Sequence, residues 1–376
     1  MRGKLNVGIV GTQFMGRAHS NAYLDVAHFF DLPLEPVMRA ACDHVSENLD
    51  PFLQRFGWQT KETDYRRLVA RDDIDVVDIC TSNLTHMPIA VAAARAGKHI
   101  ICEKPISMNA DEARKMLDAA QEADVRHMVA FNYRRVPALR LAKKLIEEGK
   151  IGQVHHFNAV YYQDWLVDPS LPIVWRHDIK EAGSGAHGDM NAHTVDQARF
   201  LVGEIEAVSA AQEIFVKERP ITGKSATGKV TADDALFFLA RFRDGALGSF
   251  MATRFATGRK NYLRLEIFGS KGSLIFNLER MNELEYYSRE DSEGEQGFRT
   301  ILVTDSVHDY VDAWWPPGHI IGWEHTFIHE VKDLIEGIAA KESVTPDFYD
   351  GWRCQQVLDA AMLSSLENRW ISIPED

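Results

Sequence analysis

Two patterns of hydrophobic and polar positions divide the chain near residue 131. Up to that point short apolar runs alternate with segments whose apolar residues recur at helical spacing. LNVGIV, PVMRAACD, IDVVDIC, KHIIC and RHMVAF are the apolar runs; MGRAHSNAYLDVAHFF, SENLDPFLQRFG, THMPIAVAAARAG and NADEARKMLDAAQEAD are the helical segments. Ser46 and Asn109 stand where N-caps belong, and Gly97 closes the third helical segment. Strands that are apolar on both faces need cover on both faces. Alternating helices supply it in a doubly wound parallel sheet, so residues 1–131 are predicted to be such an α/β domain.

Beyond the helical segment PALRLAKKLIEEG the pattern becomes strand-like: QVHHFNAVYYQDW, ALFFLARFRDGALGSFMATRFA, YLRLEIFGSKGSLIFNLER and ELEYYS. Turns such as RDG and SKG between such runs predict antiparallel hairpins. Helical spacing returns in MNAHTVDQARFLVG, TFIHEVKDLIEGIAA and YDGWRCQQVLDAAMLSSLEN. Residues 132–376 are therefore expected to form an α+β domain with an open, mostly antiparallel sheet. Its late helices are free to pack back on the first domain. KERPITGKSATGKVTADD, rich in Gly, Ser, Thr and Lys, reads as a mobile loop.

The length of 376 residues exceeds one ordinary core, which agrees with two domains. A formal net charge of −13 with no basic stripe argues against nucleic acid and anionic membranes as partners. Cys42, Cys80, Cys102 and Cys354 form no C-x-x-C pair and suggest neither a metal site nor a disulfide framework. The first residues lack the apolar core of a signal peptide, and no segment has the roughly 20 apolar residues of a membrane span. A cytoplasmic enzyme is expected.

The first apolar run leads into GTQFMG, which matches the dinucleotide fingerprint G-x-G-x-x-G at Gly11 and Gly16 but has Gln13 at the middle glycine. The remaining glycines suit the tight turn and the close packing of helix on strand, and the following helix offers its positive end to a phosphate. A strand–helix turn of an unrelated α/β fold would read the same way. Asp43 ends the second run, 32 residues beyond Gly11 rather than about 20, with HFFDLPLEP as an insertion. An acid there would bind ribose hydroxyls and repel a 2′-phosphate, favouring NAD over NADP; it also suits an ordinary polar loop. The fourth run ends in Glu103, Lys104 and Pro105, at the strand edge where α/β sheets bind ligands. A lysine before proline is equally at home as a surface charge. In GSGAHGDMNAHTVDQARFLVG, Asp189, His193 and Asp196 are spaced to share one helix face. A carboxylate beside an imidazole suits a general base near neutral pH, and the same spacing suits a capping aspartate with a structural histidine. In PPGHIIGWEHTF, His319, Trp323, Glu324 and His325 offer an aromatic and an acid that a sugar site could use, and they read more simply as a loop and the start of a packing helix.

These segments together, with TSNLTH, FNYRRVPA and DWLVDPSLPIVWR, resemble the glucose–fructose oxidoreductase/inositol dehydrogenase (Gfo/Idh/MocA) family over almost the whole chain. The similarity is greatest to its levoglucosan and pyranoside dehydrogenase branch, which oxidises a ring hydroxyl of a sugar. The resemblance implies a catalytic set of Lys104, Asp189 and His193. It implies cofactor contacts from Gly11, Gln13, Phe14, Met15, Gly16, Asp43, Thr81, Asn83, His86, Glu103, Lys104, Asn132, Trp175 and Arg176. Tyr133, Gln163 and Trp165 would face the sugar with Lys104, Asp189 and His193. It also implies pairing of copies into a homodimer or homotetramer through the open sheet. Departures from the family pattern are Gln13, Ser82 where proline is common, and Asn191 where glycine is common. Relatives that act as NAD-dependent glycosidases by transient oxidation, as imine or unsaturated-ring reductases, or as non-catalytic NAD-binding sugar sensors define the alternatives.

Overall fold

The computed structural model describes residues 3–375. They divide into two compact units, one of residues 3–135 with 321–353, the other of residues 136–320 with 354–375.

In the first unit the expected alternation is realised as β1 (Gly3–Val10), α1 (Phe14–Phe29), β2 (Leu34–Cys42), α2 (Leu49–Phe56), β3 (Thr60–Glu62), α3 (Tyr65–Val69), β4 (Val76–Ile79), α4 (His86–Arg95), β5 (His99–Cys102), α5 (Ala110–Glu122) and β6 (His127–Val129). The sheet is wholly parallel in the order β3-β2-β1-β4-β5-β6. Strand order reverses between β1 and β4, so the crevice for a ligand lies beyond the carboxyl ends of those two strands. The edge strand β3 escapes the apolar pattern because Thr60, Lys61 and Glu62 are polar and solvent-facing. Asn109 caps α5 as expected, accepting from the Glu112 amide at 3.0 Å. Ser46 does not cap α2: it opens a 3₁₀ turn over Ser46–Asn48, and the helix begins at Leu49. The helix Trp323–Ala340 completes this unit against α1.

The second unit opens with α6 (Pro137–Glu147), where Pro137 occupies the first turn and needs no donor. Then come β7 (Val154–Tyr162), α7 (Ala192–Leu201), β8 (Ile205–Glu213), β9 (Glu218–Pro220), β10 (Thr227–Lys229), β11 (Ala235–Phe242), β12 (Leu247–Thr253), β13 (Tyr262–Gly269), β14 (Gly272–Asn277), β15 (Glu283–Ser288), β16 (Arg299–Leu302) and β17 (Ile371–Ser372). Nine of these strands form one sheet, β16-β15-β14-β13-β7-β12-β11-β8-β17. It is antiparallel except where β12 runs parallel to β7. Burial alternates along β11, with Phe237 and Leu239 outward and Leu236, Phe238 and Ala240 in the core. The segment expected as a mobile loop contains the ribbon β9–β10, in which Gly228 pairs with Arg219. Three-residue polar strands again leave no periodic signal.

Candidate active site

Each unit carries its own part of the predicted site. In the first unit the fingerprint turn is fixed by backbone sterics. Gly11 has φ +101°, and a Cβ there would lie 2.4 Å from the Cys80 carbonyl oxygen; a Cβ on Gly16 would lie 2.1 Å from the Gly11 oxygen. Gln13 takes the N-cap position of α1 without a side-chain cap bond, so it does not take up the first-turn amides. Its side chain lines a cavity of about 150 Å³ with Thr12, Arg17, Asn48 and Phe52, at the tip of β2. Asp43 sits at that tip. One carboxylate oxygen accepts from the Thr12 amide at 3.2 Å and from the Thr12 hydroxyl, the other from the Val45 amide at 2.9 Å. Uncapped helix amides, a backbone turn that tolerates only glycine at two positions, and a fixed carboxylate at the second strand tip fit a dinucleotide.

The other first-unit candidates fall into two groups. Phe14 is exposed and stacks face to face on Trp323, centroids 5.5 Å apart, and Met15 is half-buried. Thr81 and Asn83 are half-buried on the loop after β4, where the Thr85 hydroxyl donates to Thr81 Oγ1 at 2.8 Å. His86, Glu103, Asn132 and Tyr133 are instead buried. The His86 ring lies between the carbonyls of Pro105 and Thr81 at 3.0 and 3.1 Å, bracing the two loops from behind. Asn132 donates to Thr326 Oγ1 at 2.8 Å, tying its turn to the late helix. Lys104 follows Glu103 and precedes a cis bond to Pro105; its amide donates to Glu103 Oε2 at 3.0 Å.

Behind that loop lies a buried cluster that sequence reading missed. His19 Nδ1 is 3.0 Å from both oxygens of Asp78, and Nε2 is 3.0 Å from Glu103 Oε1. Burial by itself would lower the His19 pKa; the Asp78 carboxylate and the neighbouring Cys80 together outweigh it and hold the ring well above the usual imidazole range. The Cys80 thiol, pushed up by burial, donates to Asp78 at 3.2 Å. Nearby, burial pushes Glu330 up to about 8 although Arg135 lies 3.5 Å from it.

In the second unit the helix expected across MNAHTVDQARFLVG does not start as an α-helix. Residues His187–Asn191 form a π-turn, and α7 follows from Ala192. Such turns recur at functional sites because they re-aim a side chain. Asp233 anchors the turn, accepting from the Gly185 and His187 amides at 2.6 and 2.8 Å. A Cβ on Gly185 would lie 1.8 Å from the Asp233 carbonyl oxygen, which explains the glycine there. Asn191 fills its place with hydrogen bonds: its amide donates to the Leu236 carbonyl at 3.2 Å and lies 3.0 Å from His187 Nδ1, and its carbonyl accepts from Thr194 at 3.1 Å.

The π-turn presents Asp189 to Arg254, 2.7 Å away, while His193 is buried in the first turn of α7 and Asp196 is buried one turn on. From Asp189 a continuous path of contacts reaches His193. The Arg254 guanidinium lies over Trp165 at 5.2 Å, and the Trp165 indole donates to Gln163 at 2.9 Å. Gln163 and Tyr161 both donate to the Asn261 carbonyl, at 3.0 and 2.8 Å, and Tyr161 packs against His193 with ring centroids 6.0 Å apart. Four predicted residues, Asp189, His193, Gln163 and Trp165, thus share one wall through Arg254, Asn261 and Tyr161. Trp175 and Arg176, one stacked on the other at 4.2 Å, precede His177, whose ring faces Trp165 at 6.3 Å. Arg254 stands one residue past β12, a place the alternating pattern of a strand does not mark.

Comparison with known proteins settles the family. The NAD-binding Rossmann domain of an oxidoreductase family matches residues 5–131, and the GFO/IDH/MocA C-terminal domain matches residues 139–275. Levoglucosan dehydrogenase of Pseudarthrobacter phenanthrenivorans is 43% identical, covering 99% of this chain and 98% of that one. The chain belongs to the Gfo/Idh/MocA oxidoreductase family. An oxidoreductase domain protein from Kribbella flavida superposes with a TM-score of 0.97 at 50% identity, covering 99% of this chain and all of that one. A levoglucosan dehydrogenase complex with NADH and levoglucosan superposes with a TM-score of 0.96 at 44% identity and the same coverage. As a Gfo/Idh/MocA protein, this chain is an NAD-dependent oxidoreductase. Among its described residues no helix is long and apolar enough to cross a membrane.

Proposed function

We propose that this enzyme oxidises a ring hydroxyl of a sugar, anhydrosugar, glycoside or cyclitol. The observation that carries the reading is the wall running from Asp189 to His193. An aromatic face beside paired polar groups, with an acid and an imidazole on the same wall, suits a polyhydroxylated ring. The end-to-end similarity to a levoglucosan dehydrogenase supports the same substrate class.

In this reading His193 accepts the hydroxyl proton, and Asp189, held by Arg254, supports the charge that develops on the ring. Lys104 donates a hydrogen bond to the reacting oxygen where negative charge builds. Gly11, Gln13, Phe14, Met15, Gly16, Asp43, Thr81, Asn83, Trp175 and Arg176 hold the cofactor, with His86, Glu103 and Asn132 bracing its loops and Tyr133, Gln163 and Trp165 contributing to the sugar side. NAD, when bound, supplies the electron acceptor.

The deciding experiment is NADH formation over a panel of levoglucosan, myo-inositol, free aldoses and glycosides, with free sugar assayed in parallel. Net NADH with at least one polyol is expected. Sugar release from a glycoside without net NADH would replace this reading with transient oxidation, and NAD binding with neither product would replace it with sensing.

The outward face of the second unit's sheet bears Phe237, Leu239 and Leu247, each more than 40% exposed. A second copy of the chain is the proposed cover, since an apolar patch of this kind on a monomer is unfavourable in water.

A further inference from the structure

The buried cluster behind the Lys104 loop has no part in the proton transfer just described, yet its geometry is directed at that loop. His19 is the centre. A neutral imidazole has one N–H and one lone pair, and a lone pair facing a carboxylate oxygen at 3.0 Å is repulsive. Both His19 nitrogens face carboxylates at that distance, so a proton lies on each contact. The ring is thus a two-ended clamp, from Asp78 at the end of β4 to Glu103 beyond β5. Its plane is set by Phe327, tilted against it at 5.4 Å. Glu103 is fully committed: Oε1 to His19 and Oε2 to the Lys104 amide. All these groups are at most 5% exposed apart from Lys104.

We infer that His19 is a positioning residue for Lys104: through Glu103 it fixes the backbone from which the Lys104 side chain departs. The inference rests on the catalytic reading of Lys104. Two conservative replacements separate the two ends of the clamp. The amide nitrogen of Gln falls at the position of His Nε2 and that of Asn at Nδ1. His19→Gln therefore keeps the donor toward Glu103 and loses the one toward Asp78, and His19→Asn does the reverse.

The readouts are steady-state kinetics with levoglucosan and NAD⁺, and hydrogen exchange at the Lys104 amide resolved by fragmentation mass spectrometry. His19→Asn is expected to lower kcat about 10–100-fold, the loss of a charge-assisted bond, with KM for NAD⁺ nearly unchanged. The Lys104 amide should exchange about tenfold faster or more in that variant. His19→Gln should stay near wild type in both readouts. Equal losses in the two variants, or unchanged Lys104 protection in His19→Asn, would overturn the inference. Should His19→Asn fail to fold, Glu103→Gln weakens the near end of the same clamp isosterically, because its amide nitrogen must face either His19 Nε2 or the Lys104 amide, and unchanged protection there overturns it equally. Lys104→Met tests the reading beneath: full turnover in that variant removes Lys104 from the chemistry, while the amide exchange still decides whether His19 holds the loop.

Discussion

The molecule holds two acid–imidazole groupings, and they are built for different work. In the first unit Asp78, His19 and Glu103 are sealed, with side chains at most 5% exposed and the ring pinned at both ends. In the second unit the Asp189 side chain is 29% exposed and is held from one side by a buried Arg254. Carboxylates occupy both nitrogens of His19, which leaves no site on the ring for a substrate proton, so its contribution is geometric. A carboxylate open on one side and tethered on the other can face a ligand without losing its orientation. Two carboxylates on one imidazole therefore mark positioning; burial alone does not separate the two histidines, since His193 is itself only 5% exposed.

The largest effects should come from breaking the open grouping. His193→Ala is expected to lower turnover by about 10²–10⁴-fold, the range for loss of a general base, with NAD⁺ affinity unchanged by fluorescence titration. Turnover near wild type would move the base elsewhere and leave the Asp189 wall as a binding surface. Arg254→Met keeps the aliphatic stem under Trp165 and removes the ion pair. A loss of about 10–100-fold in kcat/KM for the sugar is expected. A loss confined to stability would place Arg254 with the structural ion pairs.

How far the comparison was visible beforehand depends on the physics of each residue. The parallel sheet was legible because strands buried on both faces are written as unbroken apolar runs, and Gly11 and Gly16 because close backbone contacts exclude any side chain. Asp189 and His193 were legible by spacing, but the spacing assumed an α-helix, and the π-turn over His187–Asn191 alters how they are aimed. Arg254, Asp233 and Thr12 were not legible. Each acts across a long sequence separation, and nothing local marks an arginine past a strand end or an aspartate in a polar loop as the partner of a distant group. His19 left one faint trace, a polar residue on the buried side of α1.

A smaller effect tests whether the π-turn is what separates the two groupings. Asn191→Gly restores the residue common in the family and removes a side chain with three buried hydrogen-bond contacts. Denaturant unfolding should show a loss of about 1–3 kcal/mol, from unsatisfied buried partners and added chain freedom. Activity should fall less than in Arg254→Met, because Asp189 keeps its arginine. An activity loss exceeding the stability loss would mean that the turn itself aims Asp189.

The smallest effect concerns the sealed side, where Glu330 adds an acid that burial raises to about 8. Between the ordinary carboxyl range and that value the native state holds a proton that the unfolded chain has released. Stability must then fall as pH rises through this window and level off above it. Gln at this position has no proton to lose. The advantage of Glu330→Gln over wild type should therefore grow from pH 6.5 to about pH 8 and flatten beyond, by at most about 2 kcal/mol at about 1.4 kcal/mol per unit. The buried histidines, lowered by burial at His127, His177 and His329 and raised at His19, are common to both proteins and drop out of the difference between them. Melting both proteins across this range decides the point. A constant difference would mean that Arg135, 3.5 Å away, keeps Glu330 ionised throughout, and the sealed side would then contain one more charge than the clamp around His19 requires.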